Sequence, residues 1–182
     1  MSLYASDAWL CAGGVEDVFC ILWLLGEARG SVLDIGCSTG EAAAVFARAG
    51  CEVTGIDLVD AALQIAKKRC PPAQFVQADA AALPFADGAF SIAHMGCMRY
   101  PLQETGKWDA AREELLRVLA PKGLLLLGDL GAAEAMEGFA LLRERDATDA
   151  LRAFGARWLW NNDAPFPLCG AKRYTLAVYQ KI

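Results

Sequence analysis

Short apolar runs alternate along this chain with longer segments in which apolar residues recur at helical spacing. The runs at 31–35 and 51–56 suit buried parallel strands, because both faces of such a strand are covered and need no polar residues. The segments at 41–49 and 60–70 suit helices, and Gly50 ends the first of them. Because strands alternate with helices, we expect an α/β fold.

The predicted elements describe one doubly wound domain. We expect residues 1–182 to form a Rossmann-like, mostly parallel seven-stranded sheet with helices on both faces and an antiparallel last strand. Residues 1–14 are expected to form a flexible lid. The predicted strands are 31–35, 51–56, 73–78, 89–95, 124–129, 157–160 and 174–180, and the predicted helices are 15–28, 41–49, 60–70, 108–119 and most of 134–154.

A glycine-punctuated loop, Gly36-Cys37-Ser38-Thr39-Gly40, joins the first predicted strand to the first predicted helix after it. We expect Ser38 or Thr39 to cap that helix and Asp60 to cap the next. A helix N-terminus presents free backbone N–H groups and a positive end of its dipole. With the Asp34 carboxylate near the same strand end, this pattern predicts a ligand site.

Two known motifs compete for the loop. The dinucleotide pattern G-x-G-x-x-G does not fit, because Ser38 stands at the second glycine position. The loop does satisfy G-x-S-x-G, which makes Ser38 a candidate nucleophile of a serine hydrolase. That fold needs several strands before the nucleophile and a histidine after the acid, whereas the single histidine here is His94, in mid-chain. The hydrolase therefore stays as an alternative.

The loop also has the form of a third motif, and here the likeness extends along the chain. Residues 34–40 resemble motif I of class I S-adenosylmethionine-dependent methyltransferases, D-x-G-x-G-x-G, with Ser38 in place of the central glycine. Residues 53–58 resemble the second strand of that family, and 77–91 resemble the adenine-side acid and the entry to the fourth strand. The resemblance covers roughly residues 15–130 in the family's order.

The resemblance implies a site for S-adenosylmethionine, with S-adenosylhomocysteine as the product. Asp57 would accept hydrogen bonds from the ribose hydroxyls, and Asp79 would accept one from the adenine amine. Asp34 would contact the methionine ammonium, and the loop N–H groups would contact the methionine carboxylate. The implied cofactor-binding residues are Asp34, Gly36, Cys37, Ser38, Gly40, Asp57, Leu58, Asp79, Ala80 and His94.

Methyl transfer from a sulfonium needs the acceptor to be held in line and close. A general base is needed only where the acceptor must lose a proton, and His94, after the fourth strand, is the candidate for that role. The alternative is that His94 only packs over the cofactor or hydrogen-bonds the backbone. A non-catalytic partner protein with the same fold is a further alternative, because the chain is short and has no large cap domain.

The net charge of −5 disfavours nucleic acid as a partner. The basic cluster at 67–69 is interpreted as the solvated end of a helix. The segment after the fourth strand lacks N/D-P-P-Y/F, the signature of family members that methylate amino groups of nucleic acids and proteins, which favours a small-molecule acceptor. We expect a monomer or homodimer. Seven scattered cysteines and one histidine predict reduced thiols, no metal site and a cytoplasmic protein. No apolar run approaches the about 18 residues of a membrane span.

Overall fold

The computed structural model describes residues 30–153 and 172–182, which form one seven-stranded sheet. Residues 148–153 are also helical. The strands are β1 (Ser31–Ile35), β2 (Glu52–Asp57), β3 (Gln74–Gln77), β4 (Phe90–Gly96), β5 (Leu119–Leu130), β6 (Phe139–Asp146) and β7 (Tyr174–Lys181), and the helices are α1 (Glu41–Arg48), α2 (Asp60–Arg69), α3 (Arg99–Glu104) and α4 (Trp108–Val118).

The strand order is β3-β2-β1-β4-β5-β7-β6. Strands β1 to β5 are parallel, β7 is antiparallel to β5, and β6 is antiparallel to β7. The strand order reverses between β1 and β4, and ligands of open α/β sheets bind at such a reversal, beyond the carboxyl ends of the strands. The predicted Rossmann-like, doubly wound sheet is confirmed.

Two apolar layers cover the sheet, one on each face. Val32 points into the layer under α1 and α2, and the next residue, Leu33, points into the layer under α3 and α4. This alternation continues on β4 with Ile92 and Ala93. Because both faces are covered, the central strands are predominantly apolar in sequence.

The prediction of a mostly helical segment at 134–154 is wrong for its central part. Residues Phe139–Asp146 form β6, and only Phe139 of that strand is buried. As an edge strand, β6 exposes most of its side chains on both faces, so the sequence carries no period-two pattern. Its backbone pairing with β7 decides the structure instead. The predicted break near 146–149 is present, because Asp146 Oδ1 accepts a hydrogen bond from Thr148 N at 2.9 Å, at the start of the helical turn at 148–153.

The predicted helix caps also need correction. Gly40 is the N-cap of α1, in the left-handed conformation with φ of 85°, and Val59 rather than Asp60 is the N-cap of α2. Neither helix has a side-chain cap. Thr39 Oγ1 instead donates to Glu41 Oε1 at 2.6 Å.

One helix was not predicted, and three predicted elements lie where the structure gives no description. The sequence did not predict α3, a six-residue helix between β4 and α4. The predicted lid at 1–14, helix at 15–28 and strand at 157–160 lie outside the described residues.

The same substitution should have contrasting effects in an interior strand and in the edge strand of the sheet. Leu125 is fully buried in β5, whereas Leu142 in β6 is 49% exposed. Leu125→Ala is expected to lower the free energy of unfolding by about 2–5 kcal/mol, since it removes buried methyl groups and leaves a cavity. Leu142→Ala should change it by no more than about 0.5 kcal/mol. Urea denaturation of the two variants measures both values, and equal losses would contradict the assigned burial.

Candidate functional site

The loop after β1 is held in an unusual backbone conformation. Gly36, Ser38 and Gly40 all have positive φ, at 69°, 48° and 85°. A Cβ on Gly36 would lie 2.5 Å from Met98 Sδ, and one on Gly40 would lie 2.9 Å from Ala66 Cβ. The positive φ therefore favours glycine at both positions, and at Gly40 the close Ala66 side chain also leaves no room for a Cβ.

Asp57 ties this loop to the end of β2. Its Oδ2 accepts a hydrogen bond from Ser38 N at 3.0 Å, and its Oδ1 accepts one from Val59 N at 2.9 Å. Ser38 is a non-glycine residue in the left-handed region, which costs about 1–3 kcal/mol unless its surroundings hold it there. Each carboxylate oxygen still has a lone pair for a ligand.

Arg69, from the end of α2, braces the same loop. Its Nη1 donates to Thr39 O at 2.7 Å and to Thr39 Oγ1 at 2.8 Å, and it also contacts Glu41. The sequence analysis interpreted the basic cluster at 67–69 as a solvated helix end. For Arg69 that interpretation is wrong, because its guanidinium is bound to Thr39, which lies 30 positions away in the chain.

Most of the predicted loop N–H donors are already engaged. Cys37 N donates to Ile56 O at 2.9 Å, Gly40 N donates to Cys37 O at 2.9 Å, and Ser38 N donates to Asp57. Burial raises the pKa of the Cys37 thiol, so this side chain packs as a neutral group. Ligand binding through these three N–H groups stays a prediction and would compete with the internal hydrogen bonds.

Asp79 lies at the same edge of the sheet as Asp57. Ala78 N donates to Asp57 O at 3.2 Å, which joins the two segments. Asp79 Oδ1 accepts from Ala81 N at 3.0 Å, and Asp79 Oδ2 accepts from Lys107 Nζ at 2.5 Å. The hydrogen bond from Lys107 is the main reason that the pKa of Asp79 is lowered. The sequence analysis missed Lys107.

The two residues predicted to line the adenine differ in exposure. Leu58, which directly follows Asp57, is 61% exposed, an unusual state for a large apolar side chain at a strand end. Ala80 is buried. Ala80 belongs to the buried layer under α3 and α4, and Leu58 remains exposed beside Asp57.

Asp34 and His94 form a buried pair beneath α1. They are opposite each other in the β1–β4 register, and His94 Nδ1 donates to Asp34 Oδ1 at 2.7 Å. The imidazole packs edge-on against Phe46, with 5.5 Å between ring centroids, and both members of the pair are at most 3% exposed. Among the residues that the structure describes, Asp34 Oδ2 has no hydrogen-bond partner. His94 is therefore enclosed beside Asp34 rather than open at the strand ends.

The hydrolase alternative needs Ser38 and His94 in contact. Within residues 30–153 and 172–182, no hydrogen bond joins them, and the Ser38 backbone is bound to Asp57. This geometry does not support a catalytic serine.

A second pair missed in the sequence joins Arg99, at the start of α3, to Asp129, near the end of β5. Arg99 Nε is 3.5 Å from Asp129 Oδ2, and Arg99 Nη2 donates to Leu130 O at 3.3 Å. Both side chains of the pair are buried. Burial raises the pKa of Asp129 in spite of the nearby guanidinium.

Comparison with known proteins identifies the family. A family model described as a methyltransferase domain matches residues 32–123, half of the chain. The chain belongs to this methyltransferase family. The resemblance predicted from motif I and the segments that follow it is thus confirmed.

Similar proteins include both sequence relatives and solved structures. The demethylmenaquinone methyltransferase of Renibacterium salmoninarum is 34% identical over 98 residues, which are 54% of this chain and 40% of that protein. This chain thus spans about two fifths of the length of that relative. The N-methyltransferase NodS of Bradyrhizobium japonicum WM9, solved in complex with S-adenosylhomocysteine, has a TM-score of 0.74 at 18% identity and covers 98% of this chain and 94% of its own.

A third neighbour has a different reaction in its name. The [4+2]-cyclase SpnF has a TM-score of 0.72 at 21% identity, over 97% of this chain and 85% of that chain. At such identities the likeness shows the fold alone. In the described part of this chain, no helix has the length and hydropathy to span a membrane.

The Asp34–His94 pair predicts non-additive effects on stability. His94→Leu leaves the Asp34 carboxylate buried without its hydrogen-bond donor, and it should lower the free energy of unfolding by about 3 kcal/mol. Once Asp34 is Asn, the same change should cost less, with a coupling of about 0.5–3 kcal/mol. Urea denaturation of the two single variants and the double variant measures this coupling. Strict additivity would show that the two side chains do not depend on each other.

Proposed function

We propose that the protein is an S-adenosylmethionine-dependent methyltransferase that acts on a small molecule. One observation supports this above the others: in a chain of the methyltransferase family, the positive-φ loop, Asp57 and Asp79 meet at one edge of the sheet. Carboxylates beside a glycine loop suit a ligand with ribose hydroxyls and an exocyclic amine. When bound, S-adenosylmethionine supplies a sulfonium methyl group, and S-adenosylhomocysteine remains after transfer.

The nucleoside half of the ligand is assigned to the ends of β2 and β3. Asp57 keeps an acceptor lone pair on each oxygen for the two ribose hydroxyls, while its internal hydrogen bonds fix its orientation. We assign the exposed Leu58 side chain to one face of the adenine and the buried Ala80 to the wall beside it. Asp79 is assigned the exocyclic amine.

The amino-acid half is assigned to the end of β1 and the start of α1. The N–H groups of the first turn of α1 have no partners within the helix and suit a carboxylate, with Gly36 and Gly40 allowing close approach. Cys37 and Ser38 would contribute mainly the shape of the loop. Asp34 Oδ2, which has no hydrogen-bond partner within 30–153 and 172–182, is the oxygen left to accept from the ammonium, directly or through a water.

His94 is proposed as a positioning residue. Its ring is enclosed and donates to Asp34, so it fixes the carboxylate that would contact the ammonium. A general base must reach the acceptor's proton, and the burial of His94 favours the positioning role over the catalytic one. Its candidacy as a base remains a prediction.

The small-molecule acceptor is supported by the acidic chain and by a relative. The name of the Renibacterium protein specifies demethylmenaquinone, which is a small molecule. The net charge of −5 disfavours a phosphate backbone as substrate. We further propose that residues 1–182 act as one domain, with 1–14 as a lid, and that the protein works as a monomer or homodimer in the cytoplasm.

The same fold serves a second candidate function, cofactor binding without methyl transfer. The likeness to a protein named as a cyclase illustrates that this architecture serves other reactions. A protein that binds the cofactor without methyl transfer, as a partner subunit, would keep Asp57 and lack turnover. The two experiments below separate cofactor binding from catalysis.

S-adenosylhomocysteine is expected to raise the melting temperature of the protein. At a hundredfold excess over Kd, a ligand that binds only the folded state adds about 2.7 kcal/mol of stability. Asp57→Ala should abolish the shift, because it removes the ribose acceptor and the tie to Ser38. Asp60→Ala, an exposed carboxylate three residues on in α2, is the matched control and should keep it. If the folded, ligand-free wild type shows no shift, the cofactor assignment fails.

Transfer of a radiolabelled methyl group from S-adenosylmethionine tests catalysis and the acceptor class together. After incubation with a cell extract, we expect label in the ultrafiltrate of small molecules and none above background with Asp57→Ala. Label confined to the protein or RNA fraction would contradict the small-molecule acceptor. Cofactor binding without any transfer would favour the non-catalytic alternative.

A further inference from the structure

Lys107 holds the carboxylate that the proposed function assigns to adenine. Its Nζ lies 2.5 Å from Asp79 Oδ2, while Asp79 Oδ1 accepts from Ala81 N at 3.0 Å. Both carboxylate oxygens therefore have fixed directions, and each retains a second lone pair. The Asp79 side chain is 29% exposed, so a ligand can still reach it.

The backbone of Lys107 is anchored independently of this ion pair. Lys107 N donates to Leu102 O at 2.8 Å, and Lys107 O accepts from Ala111 N at 3.0 Å. Lys107 is the N-cap residue of α4, whose backbone direction is set by packing of Ala111 and Leu115 on the sheet. The Lys107 ammonium thus contacts Asp79 from a backbone position that is fixed by its own hydrogen bonds.

Helix α4 also holds the rest of the segment that carries Asp79. Leu83 N donates to Glu114 Oε2 at 2.6 Å, and Arg117 donates to Leu83 O at 2.9 Å and to Phe85 O at 2.6 Å. Gly88 N also donates to Arg117 O at 2.9 Å, so residues 79–88 are attached to α4 at both ends. Lys107 is the attachment nearest the adenine assignment.

Resting on the proposed function, we propose that Lys107 is a specificity-determining positioning residue of the cofactor site. Its ammonium holds the Asp79 carboxylate ready to accept a hydrogen bond from the exocyclic amine of adenine. A carboxylate can only accept, so it pairs with an amine and repels the carbonyl oxygen of hypoxanthine at the same position. Without Lys107, Asp79 keeps the hydrogen bond from Ala81 N, but its Oδ2 loses its donor and the carboxyl is more readily protonated. A protonated carboxyl can donate to that carbonyl.

The test uses two probes, S-adenosylhomocysteine and its deaminated analogue S-inosylhomocysteine. Their affinities are measured by calorimetry for the wild type, Lys107→Met, Lys107→Arg and Lys68→Met. The last is the matched control, since Lys68 is an exposed lysine near the far end of α2. We expect Lys107→Met to weaken binding of S-adenosylhomocysteine about tenfold, as for loss of one charge-assisted contact. We also expect it to reduce the ratio between the affinities for S-adenosylhomocysteine and S-inosylhomocysteine. Lys107→Arg should retain most of the affinity for S-adenosylhomocysteine and most of the preference over S-inosylhomocysteine. Lys68→Met should leave the affinity and the preference unchanged.

Two further readouts separate positioning from a general structural role. In an Asp79→Asn background, Lys107→Met should have little additional effect, because Lys107 acts through the carboxylate. Lys107 lowers the pKa of Asp79, so its removal should raise that pKa. Affinity in Lys107→Met should therefore fall at a higher pH than in the wild type as the solution is acidified. The melting temperatures should match, since the ion pair is partly exposed.

The outcomes distinguish the inference from the proposed function. Equal or tighter binding by Lys107→Met, an unchanged preference between the two probes, or an undiminished effect in the Asp79→Asn background would overturn the role of Lys107. Failure of the wild type to bind S-adenosylhomocysteine would overturn the proposed function itself, and the inference with it.

Discussion

The hydrogen bond from Ser38 N to Asp57 Oδ2 is the contact on which the candidate site depends. It holds a non-glycine residue in a left-handed conformation and fixes the carboxylate at the end of β2. Arg69 supports the same loop from its outer side through Thr39. The loop is therefore pre-organised by side chains from β2 and from α2, and a ligand that enters it meets groups whose orientations are already set.

The central fold could be predicted from the sequence because its strands are buried on both faces. Runs such as 31–35 and 51–56 are rich in apolar residues, with few polar positions among them, and each is followed by a clear turn or helix signal. The edge strand β6 could not be predicted in this way. Its side chains are mostly exposed on both faces, and the decisive contribution comes from backbone pairing with β7, which is distant in sequence.

The site divides along the same line. Asp34, Asp57 and Asp79 are local features, each at or after a predicted strand, and the carboxyl ends of parallel strands share one edge of the sheet. Lys107 lies 28 residues from its partner Asp79, and no local pattern indicates which cation will reach that carboxylate. The burial of His94 was also missed, because α1 covers it only in the folded chain. Local rules thus located the acids, while their partners depend on tertiary packing.

The outer edge of β6 bears on how the protein behaves at high concentration. In the described part of the chain, this edge has no neighbouring strand, so its backbone groups could pair with another molecule. Alternating charges on Arg143, Glu144 and Arg145 occupy the exposed part of the strand. Charged side chains on an edge strand discourage intermolecular sheet extension. The three charged residues 143–145 are therefore expected to reduce aggregation through this edge. The charged residues that make 139–146 hard to recognise as a strand from the sequence also discourage this strand from pairing with strands of other molecules.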